Sequence, residues 1–463
     1  MESDILNNGE WSLTERIVRE DLGENSQFGW TVHLSEDFLL VGAISAVDTY
    51  SNKSGAVIMY KLEGNNWREN CRYSIQEDGA AFDYFGYAVS MDEDRVVVGA
   101  PNSDGVKKRT GVVNIFDFDE TGWRNVQRLS APDSEEYDEF GYSVSLQGNY
   151  IVVGDPFTDN QGGNSGSVYV YELKNYKWHF IQKLIPDEYY EYDNFGISVG
   201  IDADTIVVGA NRTEVYGDGA VYVFKFNGSE WQQVQKLYAQ DGTGGENFGV
   251  SVSISDNRIL IGDDLDDDLG FNSGSAYIFE YNGNQWIQSK KLLPSKGETR
   301  GKFGNSVHIS GNQLIIGSEN KTVSEYYGAG SAYIFEYNGS SWIESKVLNA
   351  QDPHNNDNFG SSVKIINDNV IIGSRLRDEF GVNSGAVYYY NLVDSEWKLM
   401  KKFLPGDGGG LDFFGNSVDV FGDKVIIGAY GNNDNGNDSG SAYIFDLSNI
   451  DKKKDERNLI MSK

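Results

Sequence analysis

Residues 140–156 read FGYSVSLQGNYIVVGDP. Bulky residues alternate with small or polar ones from Phe140 to Leu146, a polar turn follows, and an apolar run then ends at Gly154-Asp155-Pro156. Period-2 alternation predicts a strand, and a short continuous apolar run predicts a strand covered on both faces. Downstream, GSVYVYE from Gly166 is rich in β-branched and aromatic residues and predicts a third strand. A fourth runs from Trp178 to the QKL ending at Leu184. Asn-Gly pairs between the third and fourth strands, as in YNGNQW and YNGSSW, predict tight hairpins. No helical period competes over any long window.

The pattern recurs. Phe-Gly occurs at Phe28, Phe85, Phe140, Phe195, Phe248, Phe303, Phe359 and Phe414, spaced by 53 to 57 residues. A second Gly follows each Phe by 14 residues: Gly42, Gly99, Gly154, Gly209, Gly262, Gly317, Gly373 and Gly428. A third opens strand three: Gly55, Gly111, Gly166, Gly219, Gly274, Gly330, Gly385 and Gly440. Twelve residues after the first seven of these stands a Trp, from Trp67 to Trp397.

Four-stranded units of this length predict an all-β, eight-bladed β-propeller with four antiparallel strands per blade. The eighth repeat stops after its third strand, and NNGEWSLTERIV near the start matches YNGNQWIQSKKL, with Trp11 in the Trp position. The N-terminal strand is therefore expected to complete the last blade and close the ring, removing an open sheet edge. The expected propeller spans 1–450, with blades starting near 27, 84, 139, 194, 247, 302, 358 and 413, residues 8–20 completing blade eight, and a charged tail at 451–463. The Phe, Gly and Trp positions are read as packing. The Ser143 position is small in every copy (Thr31, Ala88, Ser198, Ser251, Ser306, Ser362, Ser417), as face-to-face blades require.

Phe-Gly followed by a Gly-Ala-Pro-like end of strand two, most literally Gly99-Ala100-Pro101, resembles the FG-GAP repeat over about residues 10–448. That family includes the propeller of integrin α chains, which has seven blades where this sequence counts eight. The resemblance implies a binding platform, often extracellular, used in adhesion or protein recognition. Its calcium sits in long acidic turns between strands one and two. Here those turns are short (SED, DED, QGN, DAD, SDN, SGN, IND, FGD) and cannot supply the six to eight oxygens calcium takes. The family's metal residues are not carried over.

All length variation falls on one face. Loop two–three varies, with Gly-to-Gly spacings of 10 to 13, and loop four–one differs by one residue in a single copy. Variable loops on a rigid scaffold are where binding sites concentrate. Loop four–one carries an Asp seven residues before Phe (Asp21, Asp78, Asp133, Asp241, Asp352, Asp407; Asp187 lies eight before) and a second acid two before it (Asp83, Asp138, Asp193, Glu246, Asp357, Asp412). One reading is turn chemistry, with carboxylates accepting nearby backbone N–H groups. The other is a ring of carboxylates at the channel mouth. Tyr137, Tyr189, Tyr190 and Tyr192 stand among these acids as stacking platforms for a sugar or anchors for a protein. Candidate binding residues are Asp133, Tyr137, Asp138, Asp187, Tyr189, Tyr190, Tyr192 and Asp193. Blade six breaks the pattern with Lys296, Arg300 and Lys302.

Calcium is possible in GDDLDDDLG of blade five, where Asp264, Asp266 and Asp268 alternate as in an EF-hand loop, with Gly270 one residue late and no closing Glu. GNNDNGNDSG in blade eight is a weaker second. The four histidines lack zinc spacing, and no nucleophile motif, phosphate loop or dinucleotide fingerprint occurs. The formal net charge of −32 argues against a nucleic-acid partner. No apolar stretch is long enough for a membrane helix, no signal peptide is visible in MESDILNNGEW, and Cys71 is the single cysteine. The expected function is non-enzymatic recognition or adhesion by a monomer at the cell surface or outside the cell. A protein partner would meet the face of loops two–three and four–one. The alternative is a carbohydrate-binding propeller, calcium-assisted or not, and the third reading is a polysaccharide-cleaving enzyme.

Overall fold

The computed structural model describes residues 13–47, 53–74, 82–159, 162–188, 190–212, 217–242, 244–406 and 408–447. Trp11, Asn52, Asp78, Tyr189, Asp407 and the tail 451–463 lie outside them. Among the described residues, every strand belongs to one of eight four-stranded antiparallel sheets arranged as a propeller, and helix is confined to one 3-10 turn at Glu20–Leu22. Among the described residues no helix is long and apolar enough to cross a membrane.

Blade three shows how pattern becomes structure. Its strands are Ser143–Gln147, Tyr150–Asp155, Ser167–Lys174 and Lys177–Leu184, paired in that order. Ile151, Val152 and Val153 are all fully buried, as an apolar run covered on both faces requires. All eight Phe of the Phe-Gly pairs are fully buried, and the Trp side chains from Trp67 to Trp397 are buried too. The last sheet consists of Val418–Phe421, Lys424–Ala429, Ser441–Asp446 and the N-terminal strand Leu13–Val18, with Ile17 opposite Ala442. The ring is thus closed by the chain's two ends.

Blades are joined through glycine. Each third Gly forms a parallel bridge with the next blade's Phe, from Gly55 with Phe85 around to Gly440 with Phe28. The second Gly meets the carbonyl of the next Phe-Gly glycine, and Ser143 Oγ donates to that same carbonyl, Gly196 O, at 2.8 Å. Ser198, Ser251, Ser306 and Ser362 repeat this bond. The channel-lining edges are tied as well. Ser90 Oγ accepts Leu146 N–H at 3.1 Å, Ser253 Oγ accepts Ile309 N–H at 3.2 Å, and Asp419 Oδ2 accepts Leu34 N–H at 3.0 Å. Side chains of one blade thereby satisfy the free edge of the next. On the outside, the amides of Gln127, Gln182 and Gln235 bracket the backbone of the next blade's Trp.

Candidate functional site

Loops two–three and four–one form one face, and they are welded to each other. In seven of the eight copies, among the described residues, the residue three before Phe donates its N–H to a loop two–three carbonyl of the preceding blade, including Phe82 to Lys53, Tyr137 to Lys108, Tyr192 to Gly163 and Leu411 to Val382. These four residues adopt φ of +72°, +73°, +69° and +72°. Large side chains in this left-handed region cost free energy and persist only where the surroundings hold them. They are 54, 47, 57 and 50 % exposed. Loop ends thus hold bulky apolar side chains outward on a fixed backbone. Sequence reasoning singled out Tyr137 and Tyr192 and missed Phe82 and Leu411. The signal that finds all four is their shared offset of three residues before Phe. Tyr137 lies beneath Lys108 Nζ and Arg109, each 5.7 Å from its ring centre. A cavity of about 410 Å³ beside it is lined by Phe82, Asp83, Tyr84, Asn102 and Arg109 among others.

The acids of these loops fall into two structural classes. The acid two before Phe is buried in each case: Asp83, Asp138, Asp193, Glu246, Asp357 and Asp412. Four of them accept the N–H three residues earlier: Glu135 to Asp138, 2.6 Å; Tyr190 to Asp193, 2.7 Å; His354 to Asp357, 2.8 Å; Gly409 to Asp412, 2.7 Å. The acid seven before Phe ties its loop to the outer strands of its own blade. Asp133 accepts Tyr169 OH at 2.7 Å and Lys183 Nζ at 2.6 Å. Asp241 takes Tyr277 OH and Lys291 in the same way, and Asp352 takes Lys402. Burial opposes ionisation of Asp133, but Lys183 and Tyr169 outweigh it and hold the carboxyl below its usual range. Blade six, with Lys296 in place of the Asp, also has Val347 in place of the Lys. The two positions change together. Asp187 is exposed, and its backbone N–H donates to Gln233. Tyr190 and Tyr192 are exposed beside it.

Blade three places Asp155 directly behind Asp138. Both oxygens of the fully buried Asp155 lack a hydrogen-bond partner among the described residues. Burial, then Asp138, push Asp155 well up, and burial pushes Asp138 up to about 6. Folded values above unfolded ones near 4 mean that the folded state binds more protons between the two. The pair's contribution to stability is therefore full below about pH 4 and lost as pH rises through about 6. Asp155→Asn is expected to raise the melting temperature at pH 7 and to flatten its dependence between pH 5 and 7. A wild-type slope retained in the variant would place that titration elsewhere.

In blade five, carboxylate oxygens of Glu246, Asp263 and Asp266 all lie within 4.8 Å of one another. Of the alternating set read from the sequence, Asp266 is in this group. Asp264 instead accepts Asn247 Nδ2 at 3.0 Å, and Asp268 sits 2.7 Å from Lys291 Nζ.

The channel carries a second polar cluster, nearer the opposite face. His33, His308, Lys364 and Asp419 occupy one equivalent position in the consecutive blades one, six, seven and eight, where the other four blades have Ser or Gly. Asp419 Oδ2 lies 3.0 Å from His33 Nδ1, and Oδ1 lies 3.5 Å from Lys364 Nζ. Despite burial, Lys364 and His33 hold Asp419 well below the carboxylate range, while burial pushes His308 down to about 3. A cavity of about 620 Å³ opens there between Leu34, Phe38, Met91, Lys364 and Phe421.

These features are framed by a repeat that known proteins share. The FG-GAP repeat family model matches residues 11–60, 75–116, 123–171, 178–224, 231–279, 286–335, 342–390 and 397–445. Human integrin alpha-11 is 30% identical over 261 residues, covering 50% of this chain and 20% of the integrin. The mouse protein of that name is 29% identical over 226 residues, covering 43% of this chain and 18% of its own. The chain thus spans about a fifth of the length of these curated relatives. Eight matches in register with eight observed blades settle the kinship: the chain belongs to the FG-GAP repeat family.

Proposed function

We propose that this propeller is a non-enzymatic recognition or adhesion module that binds a protein through the face of loops two–three and four–one. The observation that carries the reading is the distribution of exposed large apolar side chains. Among the described residues, thirteen stand on that face, including Phe82, Val106, Tyr137, Tyr190, Tyr192, Phe271, Tyr327, Phe380, Val382 and Leu411, against Tyr176 and Phe421 on the other. Exposed apolar surface with aromatic anchors, rimmed by charge, is the composition of a protein-binding patch. The rigid loop backbone lowers the entropic cost of ordering such anchors on binding. The integrin kinship supports an adhesive role and a cell-surface or extracellular setting, with the chain acting as a monomer.

The test uses a substitution the fold already contains. Asn25 and Asn356 hold the same position, at φ +59° and +62°, in blades one and seven. Phe82→Asn/Tyr137→Asn/Tyr192→Asn/Leu411→Asn is therefore expected to keep the melting temperature. Binding to the strongest ligand in a surface-resonance panel of extracellular matrix proteins should weaken at least about tenfold. Unchanged binding would move the site off this face. Binding confined to a glycan array would replace the protein partner with a carbohydrate.

A further inference from the structure

We propose that blade five holds one divalent cation of the calcium class on Glu246, Asp263 and Asp266. The eight copies of the blade supply the argument. In blades two, seven and eight the buried acid two before Phe faces the residue four after the second Gly, and that residue neutralises or satisfies it. Ser103 Oγ donates to Asp83 at 3.4 Å, Asn432 Nδ2 donates to Asp412 at 3.3 Å, and Arg377 Nη1 lies 2.7 Å from Asp357. Blade one has Ser26 and Ala46 there and needs no partner. Asp266 is the single acid at this position in the chain. Blade five has therefore exchanged a donor for an acceptor opposite Glu246.

It has also added a third carboxylate. The residue after the second Gly is Ala or Ser in six copies, Asp155 in blade three and Asp263 in blade five. Glu246, Asp263 and Asp266 are all buried. Asp263 Oδ1 accepts Asn247 N–H at 2.8 Å, while Oδ2, fully enclosed, has no hydrogen-bond partner among the described residues. Three buried carboxylates this close together demand positive charge. The nearest built-in cation, Lys291 Nζ, lies 2.8 Å from Asp266 but is divided with Asp241 and Asp268 at 2.8 and 2.7 Å. Lys302 stands 3.8 Å from Asp264. Six carboxylates thus face two ammonium groups.

Only oxygen donors converge here, which selects a hard divalent ion over zinc or copper. The ligands come from loop four–one, the end of strand two and loop two–three. The site is therefore distinct from a single-loop EF-hand arrangement and lies away from the strand one–two turns. Blade seven shows the same cradle filled from within the chain: the guanidinium of Arg377 takes the place the ion takes in blade five.

The experiment is a calcium titration of the chelator-stripped chain by calorimetry and thermal melting. One ion per chain is expected, with the melting temperature rising by roughly 3 °C at a calcium concentration of about 100 Kd. Asp263→Asn and Glu246→Gln should each weaken binding at least about 100-fold, with Asp264→Asn and Asp268→Asn within about fivefold of wild type. Asp266→Arg, which copies blade seven, should abolish the calcium response and melt above the metal-free wild type. Absence of saturable binding up to millimolar calcium overturns the proposal. So does wild-type affinity in Asp263→Asn, or a calcium response that survives in Asp266→Arg.

Discussion

Gly154→Ala should destabilise the folded chain by about 3 kcal/mol or more, seen as a lower urea midpoint and a lower melting temperature. A Cβ on Gly154 would stand 2.1 Å from the carbonyl oxygen of Gly196 and 2.2 Å from Ser143 Oγ. The serine can rotate, but the carbonyl cannot. It belongs to backbone whose N–H donates to Gly209 O at 3.0 Å and whose φ is +98°. Relief would require blades three and four to separate, and a closed ring has no free end to absorb that movement. The same contact recurs from Gly42 against Gly86 O to Gly428 against Gly29 O, so Gly317→Ala and Gly373→Ala should behave alike. Gly148, in the turn between strands one and two, supplies the control. It has φ +53°, and a methyl added there would meet nothing within 4 Å, so Gly148→Ala should cost only about 1 kcal/mol of backbone strain. Equal costs at the two sites would show that the blade interface yields where the geometry says it is rigid.

This contrast marks where sequence pattern stops being informative. The period, the strands and the closing role of Leu13–Val18 were legible because each is a matter of spacing and alternation along the chain. Gly154 was legible as invariant among the copies, but its reason was not. The atom it makes room for lies 42 residues away in the next blade. The acids show the same limit. A carboxylate in a loop reads as exposed, yet Asp138 and Asp193 are buried and cap turns, because the loop folds back over the sheet end. Asp133, a candidate binding residue by spacing, holds Tyr169 and Lys183. That pairing left a trace in the sequence: blade six loses both the Asp and the Lys. In blade five, alternation along one loop drew attention to Asp264, Asp266 and Asp268, whereas burial gathers Glu246 and Asp263 around Asp266 from three segments. Side-chain direction and burial are set by packing, and a one-dimensional spacing holds neither.

Arg377→Leu should cost about 3–5 kcal/mol at neutral pH, the largest expected loss for a single side chain on the loop face. The guanidinium is 4 % exposed and meets Asp357 at 2.7 Å, Asp352 at 2.9 Å and Glu379 at 3.0 Å. Asp352 and Glu379 keep Lys402, at 2.9 and 2.7 Å, when Arg377 is removed. Among the described residues the Asp357 carboxylate keeps only the N–H of His354, and it is fully buried. The loss is therefore the cost of one uncompensated charge, and its pH dependence follows from that. Burial already raises Asp357 against the opposing pull of Arg377. Without the guanidinium its folded pKa climbs further above the unfolded value near 4, so the folded variant binds the extra proton. The deficit should then be smallest below about pH 4 and grow as pH rises through the new folded pKa. Arg377→Leu/Asp357→Asn removes the charge altogether and should recover most of the stability at pH 7. A single variant whose deficit is flat in pH, or a double variant no more stable than the single, would mean that Arg377 acts through packing of its stem rather than through charge. The agreement of these results with those from Asp266→Arg would tie the two blades to one rule: three carboxylates gathered beside a Phe-Gly loop must share a cation.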